Sequence, residues 1–336
     1  ALLAGASACA ARPAAPLGTP APGGPGADAP ATQAGVIVTA NQESADASLI
    51  VLPGGQAHRV AVGAGPHEAA VAPDGRWAVV TVYGTRAETG ARLALLDLPA
   101  RALVRHVALG AYTRPHGVVP LPGPGRRVAV TSEASRRLLV VDLDRDRVVA
   151  AIPTEAAGSH MVAVTRDGAR AYTANVGAGS VSEIDLAAGR LVRQIPVAPV
   201  TEGIAVSPDG REVWVGSNQA RTVSVVDARA GRVVATIAGV GVPYRLAFAP
   251  DGRTVAAADP DGDAVHLIDA AARRVTGTVA GLGSPRGVSF GPDGALYATL
   301  GTEHAVAVLD VRTRTVRARY PTGTTPDGVA FAPAAR

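Results

Sequence analysis

The chain reads as an all-β protein: a seven-bladed β-propeller with four antiparallel strands per blade, closed by a mixed blade that draws strands from both chain ends. Three observations predict this. Asp-Gly pairs at Asp167-Gly168, Asp209-Gly210, Asp251-Gly252 and Asp293-Gly294 stand 42 residues apart, and a further pair lies at Asp74-Gly75. A second series of aspartates, Asp97, Asp142, Asp185, Asp227, Asp269 and Asp310, is spaced by 45, 43, 42, 42 and 41 residues. Between these markers the apolar runs are four to six residues long and carry no i, i+3, i+4 stripe, which excludes helices. Units of forty-odd residues with four short strands have the size of propeller blades.

Each unit repeats one order of elements. In the unit that begins at Gly203, Gly203-Ile-Ala-Val-Ser-Pro-Asp-Gly is a first strand ending in a tight hairpin turn, followed by Glu212-Val-Trp-Val-Gly as a second. Thr222-Val-Ser-Val-Val-Asp is the third and Arg232-Val-Val-Ala-Thr-Ile the fourth. The repeat begins on a second strand (Val36 to Asn41) and finishes on a first strand (Gly328 to Pro333), so those two segments are expected in one sheet. Arg105, Arg147, Arg193, Arg232 and Arg317 fall on fourth strands, where a charge discourages edge pairing with other chains.

Residues 35–336 are thus expected to form one propeller domain. Ahead of them, residues 1–9 end in Ala6-Ser7-Ala8-Cys9, which resembles a bacterial lipoprotein signal box, although leucine is usual where Ala6 stands. The resemblance implies export and lipidation of Cys9. Residues 10–34, rich in Ala, Pro and Gly, cannot bury enough apolar surface to offset their ordering entropy and are expected to be a disordered linker. Membrane contact is expected only through that lipid, in an extracytoplasmic compartment, because no apolar run approaches the ~20 residues of a membrane helix.

Composition removes several function classes. One cysteine, Cys9, excludes an internal disulfide, a cysteine nucleophile in the body and any cysteine-rich metal cluster. The net charge is +4, but every basic residue is arginine and the arginines are scattered, so nucleic acid is not an expected partner. No Gly-x-Ser-x-Gly elbow, phosphate-binding loop or dinucleotide fingerprint occurs.

Glu202-Gly-Ile-Ala-Val-Ser-Pro-Asp-Gly, Tyr172-Thr-Ala-Asn and Val223-Ser-Val-Val-Asp resemble the YVTN-type β-propeller repeats of bacteria and archaea over residues 36–333. The chain departs from that pattern in the Gly123-Pro-Gly125 variant of the third unit, at Pro53 and in a longer 85–92 loop. The resemblance implies the fold. It spans scaffolds, lactonases and lyases and so does not choose an activity.

Candidate function lies on the face where the chain runs into each innermost strand. The residues there are His67, His116, His160, Glu202, Tyr244, Arg286 and Asp327. Three imidazoles and a carboxylate on consecutive blades suit a divalent transition metal, with Glu202 as ligand or general base of a lactonase- or lyase-like hydrolysis. The plainer alternative is a structural or ligand-contacting ring, and no cofactor is required by the sequence. Across the ring, Tyr244, Arg245, Arg286, Asp327 and Arg114 would hold a small anionic ligand, a peptide or a protein, or Arg286 and Asp327 would simply neutralise each other. Glu303 and His304 stand on the same face, and Asp259-Pro-Asp-Gly-Asp263 superficially resembles a calcium loop. A monomeric, exported binding scaffold is the favoured reading, and the metalloenzyme is the alternative.

Overall fold

The computed structural model describes residues 33–334, all of whose regular structure is β-strand. The signal-box residues 1–9 with Cys9, and nearly all of the 10–34 tract, lie outside the described residues. The first sheet contains β1 (Gly35–Asn41), β2 (Asp46–Leu52) and β3 (Gln56–Ala61). The second is β4 (Pro66–Val71), β5 (Trp77–Gly84), β6 (Thr89–Asp97) and β7 (Ala102–Ala108). The third is β8 (Pro115–Pro120), β9 (Arg127–Ser132), β10 (Arg137–Asp142) and β11 (Arg147–Pro153), and the fourth is β12 (Ser159–Val164), β13 (Arg170–Asn175), β14 (Ser180–Asp185) and β15 (Arg190–Pro196). In the fifth stand β16 (Thr201–Val206), β17 (Glu212–Ser217), β18 (Thr222–Asp227) and β19 (Arg232–Ile237). The sixth has β20 (Arg245–Phe248), β21 (Thr254–Asp259), β22 (Ala264–Asp269) and β23 (Arg274–Ala280). The seventh has β24 (Pro285–Phe290), β25 (Leu296–Leu300), β26 (Ala305–Asp310) and β27 (Thr315–Pro321), after which β28 (Pro326–Pro333) pairs antiparallel with β1.

This is a seven-bladed propeller of four-stranded antiparallel sheets. In the first sheet the order is β28, β1, β2, β3, with Ile37 opposite Phe331 and Val36 opposite Ala332.

The sequence markers prove to be turn acceptors. The carboxylates of Asp74, Asp167, Asp209, Asp251 and Asp293 each accept the amide two residues on, while Gly75, Gly168, Gly210, Gly252 and Gly294 adopt positive φ between 69° and 81°. Asp97, Asp185, Asp227 and Asp269 accept the amide three residues on, at the turns into the fourth strands. Asp259 works the same way: its carboxylate takes the amides of Val242 and Gly262 and faces His266, so the calcium-like segment is a polar turn.

Alternation along each strand sends successive side chains to opposite neighbours. Val79, Leu93 and Leu95 pack against Val128, Val130, Leu139 and Val141 of the next blade, whereas Ala78, Val80 and Leu96 pack back on Val38, Ala40 and Leu49. Every pair of adjacent blades shares such a core, including the seventh and the first, where Tyr297 stacks on Phe331 at 4.9 Å. Fully burying one Val or Leu contributes about 1.5–3 kcal/mol, so ring closure is stabilised at all its joints.

Two of the edge arginines do more than protect edges. Arg105 reaches Asp146 and the Leu143 carbonyl of the following blade, and Arg193 bonds Glu183 as well as the Ala228 carbonyl of the blade after its own. Arg317 turns inward to Asp310.

Candidate functional site

Strand alternation places the turns into the innermost strands and the turns between second and third strands on one face, hereafter the top. Hairpin turns with Asp-Gly lie on the opposite face. At the top, pairing between the first two strands breaks register between Pro66 and Ala69, Pro115 and Val118, Ser159 and Val162, Thr201 and Ile204, and Pro285 and Val288. These bulges release His67, His116, His160, Glu202 and Arg286 from the ladder. A left-handed residue precedes most of the innermost strands, including Arg114 at φ 57°, Val200 at 54° and Thr325 at 57°, and re-aims the chain just before each bulge.

The three imidazoles come together as a row of mutually tilted rings. His67 and His116 have centroids 4.5 Å apart, and His116 and His160 3.6 Å apart. The outer two rings are each held by a carboxylate: His67 Nδ1 lies 2.9 Å from Asp327 Oδ2, and His160 Nε2 lies 2.6 Å from Glu202 Oε1. His160 Nδ1 also faces Glu133 at 3.3 Å, and the Tyr83 hydroxyl donates to that same carboxylate. His116, between them, is 1% exposed and neither ring nitrogen has a partner.

The expected three-histidine metal centre therefore departs from the observed geometry. The rings lie against one another at interplanar angles of 45° and 34°, and among the described residues no group of three or more His, Asp or Glu side chains is arranged to hold an ion. Glu202, expected as ligand or base, accepts His160 and the Arg245 guanidinium, whose Nη1 is 2.9 Å away.

Arg245, expected to bind ligand, is instead 4% exposed and spans the channel. Its Nε and Nη2 both donate to Glu68 Oε1, at 3.0 and 2.6 Å. Sequence reasoning missed Glu68, although a signal existed. Glu68 and Arg245 occupy the inner-strand position that is glycine at Gly117, Gly203, Gly287 and Gly328. At Gly203 a Cβ would sit 3.0 Å from Arg245 Cα, and at Gly328 2.7 Å from Glu68 Cα, so these glycines let the inner strands crowd beside the two charged side chains.

Gln42, Tyr83 and Glu133 were also missed. They share one repeat position, directly after the top of β1 or β9 and at the end of β5, and all three face the imidazoles. Gln42 donates to Asp327 at 2.7 Å and accepts from Arg286 at 3.2 Å. Arg286 and Asp327 make no direct ion pair, and Arg286 has no carboxylate partner among the described residues. Arg114 lies over the Tyr83 ring at 4.9 Å and donates to the Tyr83 and Thr85 carbonyls, while Tyr244 lies under the Arg245 guanidinium at 4.4 Å. His304 accepts the Thr325 amide, and Glu303 pairs with Arg319, so neither joins the ring.

The electrostatics follow from this crowding. Burial opposes charge on His160, but hydrogen bonds to Glu133 and Glu202 outweigh it and push the imidazole up to about 9. Burial would raise Glu202, Glu133 and Asp327, yet their histidine and arginine partners hold all three below the usual carboxylate range. His116 falls well below 6.5, first through burial and then through the neighbouring positive groups. Tyr83 rises to about 12 through burial and the Glu133 charge. Beside this floor a hollow of about 320 Å³ opens between Gln42, Gly65, His67 and Thr85.

Among known proteins, the family model of the cytochrome D1 heme domain matches residues 123–259. A solved structure titled Kuenenia stuttgartiensis Hydrazine Synthase is similar with a TM-score of 0.71 and 21% identity, over 80% of this chain and 90% of that one. No curated protein matches. Both similarities agree with a β-propeller, while the matching family model is not the YVTN-type family that the repeats resemble.

A heme domain raises the question whether these residues fit a heme. An iron ligand inside the ring would need a free imidazole nitrogen facing an open slot. His160 and His67 have theirs engaged by carboxylates or Gln42, and His116 is sealed between two rings. Arg245 with Glu68 and Glu202 closes the centre. The observed ring does not fit that group.

Proposed function

We propose that this propeller is a binding scaffold that presents its top face, around the channel mouth, to a small anionic ligand or the carboxylate of a peptide. One observation supports the reading above the others: apart from the two nitrogens of His116, most of the acidic and basic groups at the mouth are already paired with one another. Asp327, His67, His116, His160, Glu202, Arg245 and Glu68 form a continuous row of contacts. A floor so constrained is preorganised, which lowers the cost of binding.

Arg286 is the donor left for a ligand. Its Nη1 bonds an amide oxygen of Gln42, and the rest of the planar fork is uncommitted. The 320 Å³ hollow, lined by Gln42, the partner of Arg286, and by His67, has the lower end of small-ligand size, about 300–1,000 Å³. Location outside the cytoplasm belongs to the same proposal and rests on the signal-box resemblance around Cys9.

Titration calorimetry of the full chain with citrate tests the site. Saturable binding that weakens about tenfold in Arg286→Ala, the scale of one charged hydrogen-bonding group, is the expected result. Binding that is absent, or indifferent to Arg286→Ala, overturns it.

A further inference from the structure

On the opposite face, between the fourth and fifth blades, lies a second cleft of about 750 Å³. It is walled by the β12–β13 hairpin (Thr165 to Gly168), the β16–β17 hairpin (Pro208 to Gly210) and the β18–β19 turn at Ala228 and Arg229. We propose that this cleft is a distinct binding site for a small molecule carrying a carboxylate or phosphate on a flat apolar body.

The argument starts from Tyr172. Its side chain is 2% exposed and packs in the shared core of the two blades, with Ile204 and Val213. Yet its ring lines the cleft, and its hydroxyl, which bonds no other group among the described residues, is not one of the unpartnered polar atoms sealed from solvent. Buried phenols usually find a hydrogen-bond partner. Trp214, at the equivalent place in the fifth blade, does so by donating to Glu212 at 2.9 Å. The Tyr172 hydroxyl instead opens onto the cleft, where water or a ligand can accept from it.

The charges on the walls divide into spent and unspent. Arg170 pairs with Asp185 at 2.7 Å, and Arg193 with Glu183 at 2.6 Å. Asp167 accepts Thr165 and the Ala169 amide, and Asp209 accepts Ser207 and the Arg211 amide. These bonds hold both carboxylates below their usual range, so both stay ionised, with the charge met by the turn amides and hydroxyls that they accept. Arg166 and Arg229 make no ion pair among the described residues, and both stand exposed at the rim. Unspent groups are therefore two guanidinium forks and one phenol, a set that matches an anion rather than a cation. Pro208, Ala228 and the Tyr172 ring supply apolar wall for the rest of the molecule. The volume lies within the range of small-ligand pockets.

This site is independent of the channel mouth, which lies on the other face. The test uses the full chain with phenyl phosphate and benzoate as probes, followed by calorimetry. Saturable binding of at least one probe is expected. It should weaken about tenfold or more in Arg166→Ala/Arg229→Ala, weaken a few-fold in Tyr172→Phe, and stay unchanged in Arg286→Ala. Because both arginines are exposed and unpaired, the double variant should unfold at the wild-type denaturant midpoint. Preference for one probe distinguishes phosphate from carboxylate. No saturable binding of either probe overturns the proposal, as does binding that survives the double variant or is lost in Arg286→Ala.

Discussion

Glu68 and Arg245 are 177 residues apart in the chain and meet in the channel, where two guanidinium nitrogens of Arg245 share one carboxylate oxygen of Glu68. Their blades, the second and the sixth, lie on different sides of the ring, so the contact is a strut across the hole. Glu202 braces it from the fifth blade at 2.9 Å.

Removing one end of this strut leaves a buried charge without its partner. Arg245→Met is expected to lower unfolding free energy by about 3–5 kcal/mol, and Glu68→Gln by somewhat less because the amide still accepts a bond. The double variant Glu68→Leu/Arg245→Met should recover much of the loss, since an apolar pair fills the space without desolvated charge. Urea denaturation of the four proteins checks this. Equal losses in single and double variants would show that the strut is not an energetic unit.

His160 makes stability depend on pH. Its folded value of about 9 stands above the ordinary 6.5, so the stabilisation is complete below about pH 6.5 and is lost as pH rises through 9. Glu202 and Glu133 shift the other way, so their share is present above about pH 4.5 and is lost as pH falls below it through their depressed folded values. Wild type should therefore exceed His160→Gln by roughly 3 kcal/mol near pH 6 and converge with it above pH 9. Paired denaturation curves at pH 6 and pH 9.5 measure the difference, and a gap that does not change with pH would contradict the assignment.

At the centre of the row, His116 contributes two buried nitrogens with no partner. His116→Phe keeps a flat ring between His67 and His160 and removes both orphans, so stability should rise by about 1 kcal/mol. A loss of stability instead would mean that the nitrogens are satisfied by something bound in the channel. Thermal unfolding before and after exhaustive dialysis separates the two.

The outer edge offers a paired comparison. Arg193 ties Glu183 to the Ala228 carbonyl of the next blade, whereas Arg232, at the start of β19, is exposed and engages no side chain. Arg193→Ala should cost about 1–2 kcal/mol and Arg232→Ala less than about 0.5. Equal effects in denaturant unfolding would reduce both to edge charges.

Much of the site was legible as a repeat position. His67, His116, His160, Glu202, Tyr244, Arg286 and Asp327 stand at one register point of the repeat, and the structure brings all seven to the channel mouth. What that register could not show is direction. The imidazoles share a place, but their tilted packing and their carboxylate partners depend on bulges and neighbours that come from other strands. Glu133, Gln42 and Tyr83 were less legible: their repeat position is Val176, Asn218, Pro260 and Gly301 in the other blades, so no shared residue type draws notice to it.

By itself the sequence determined the number of blades, the order of strands within each and the faces on which turns fall. Those properties are local: an Asp-Gly hairpin or an aspartate that accepts an amide two or three residues on works wherever it is placed. Tertiary structure alone decided that Arg245 is a strut rather than a ligand contact, that Glu202 is occupied, and that Tyr172 is left with a free hydroxyl. These depend on the width of the channel and on the spacing between blades, which are set by the packing of all seven shared cores together and leave no mark on any one repeat.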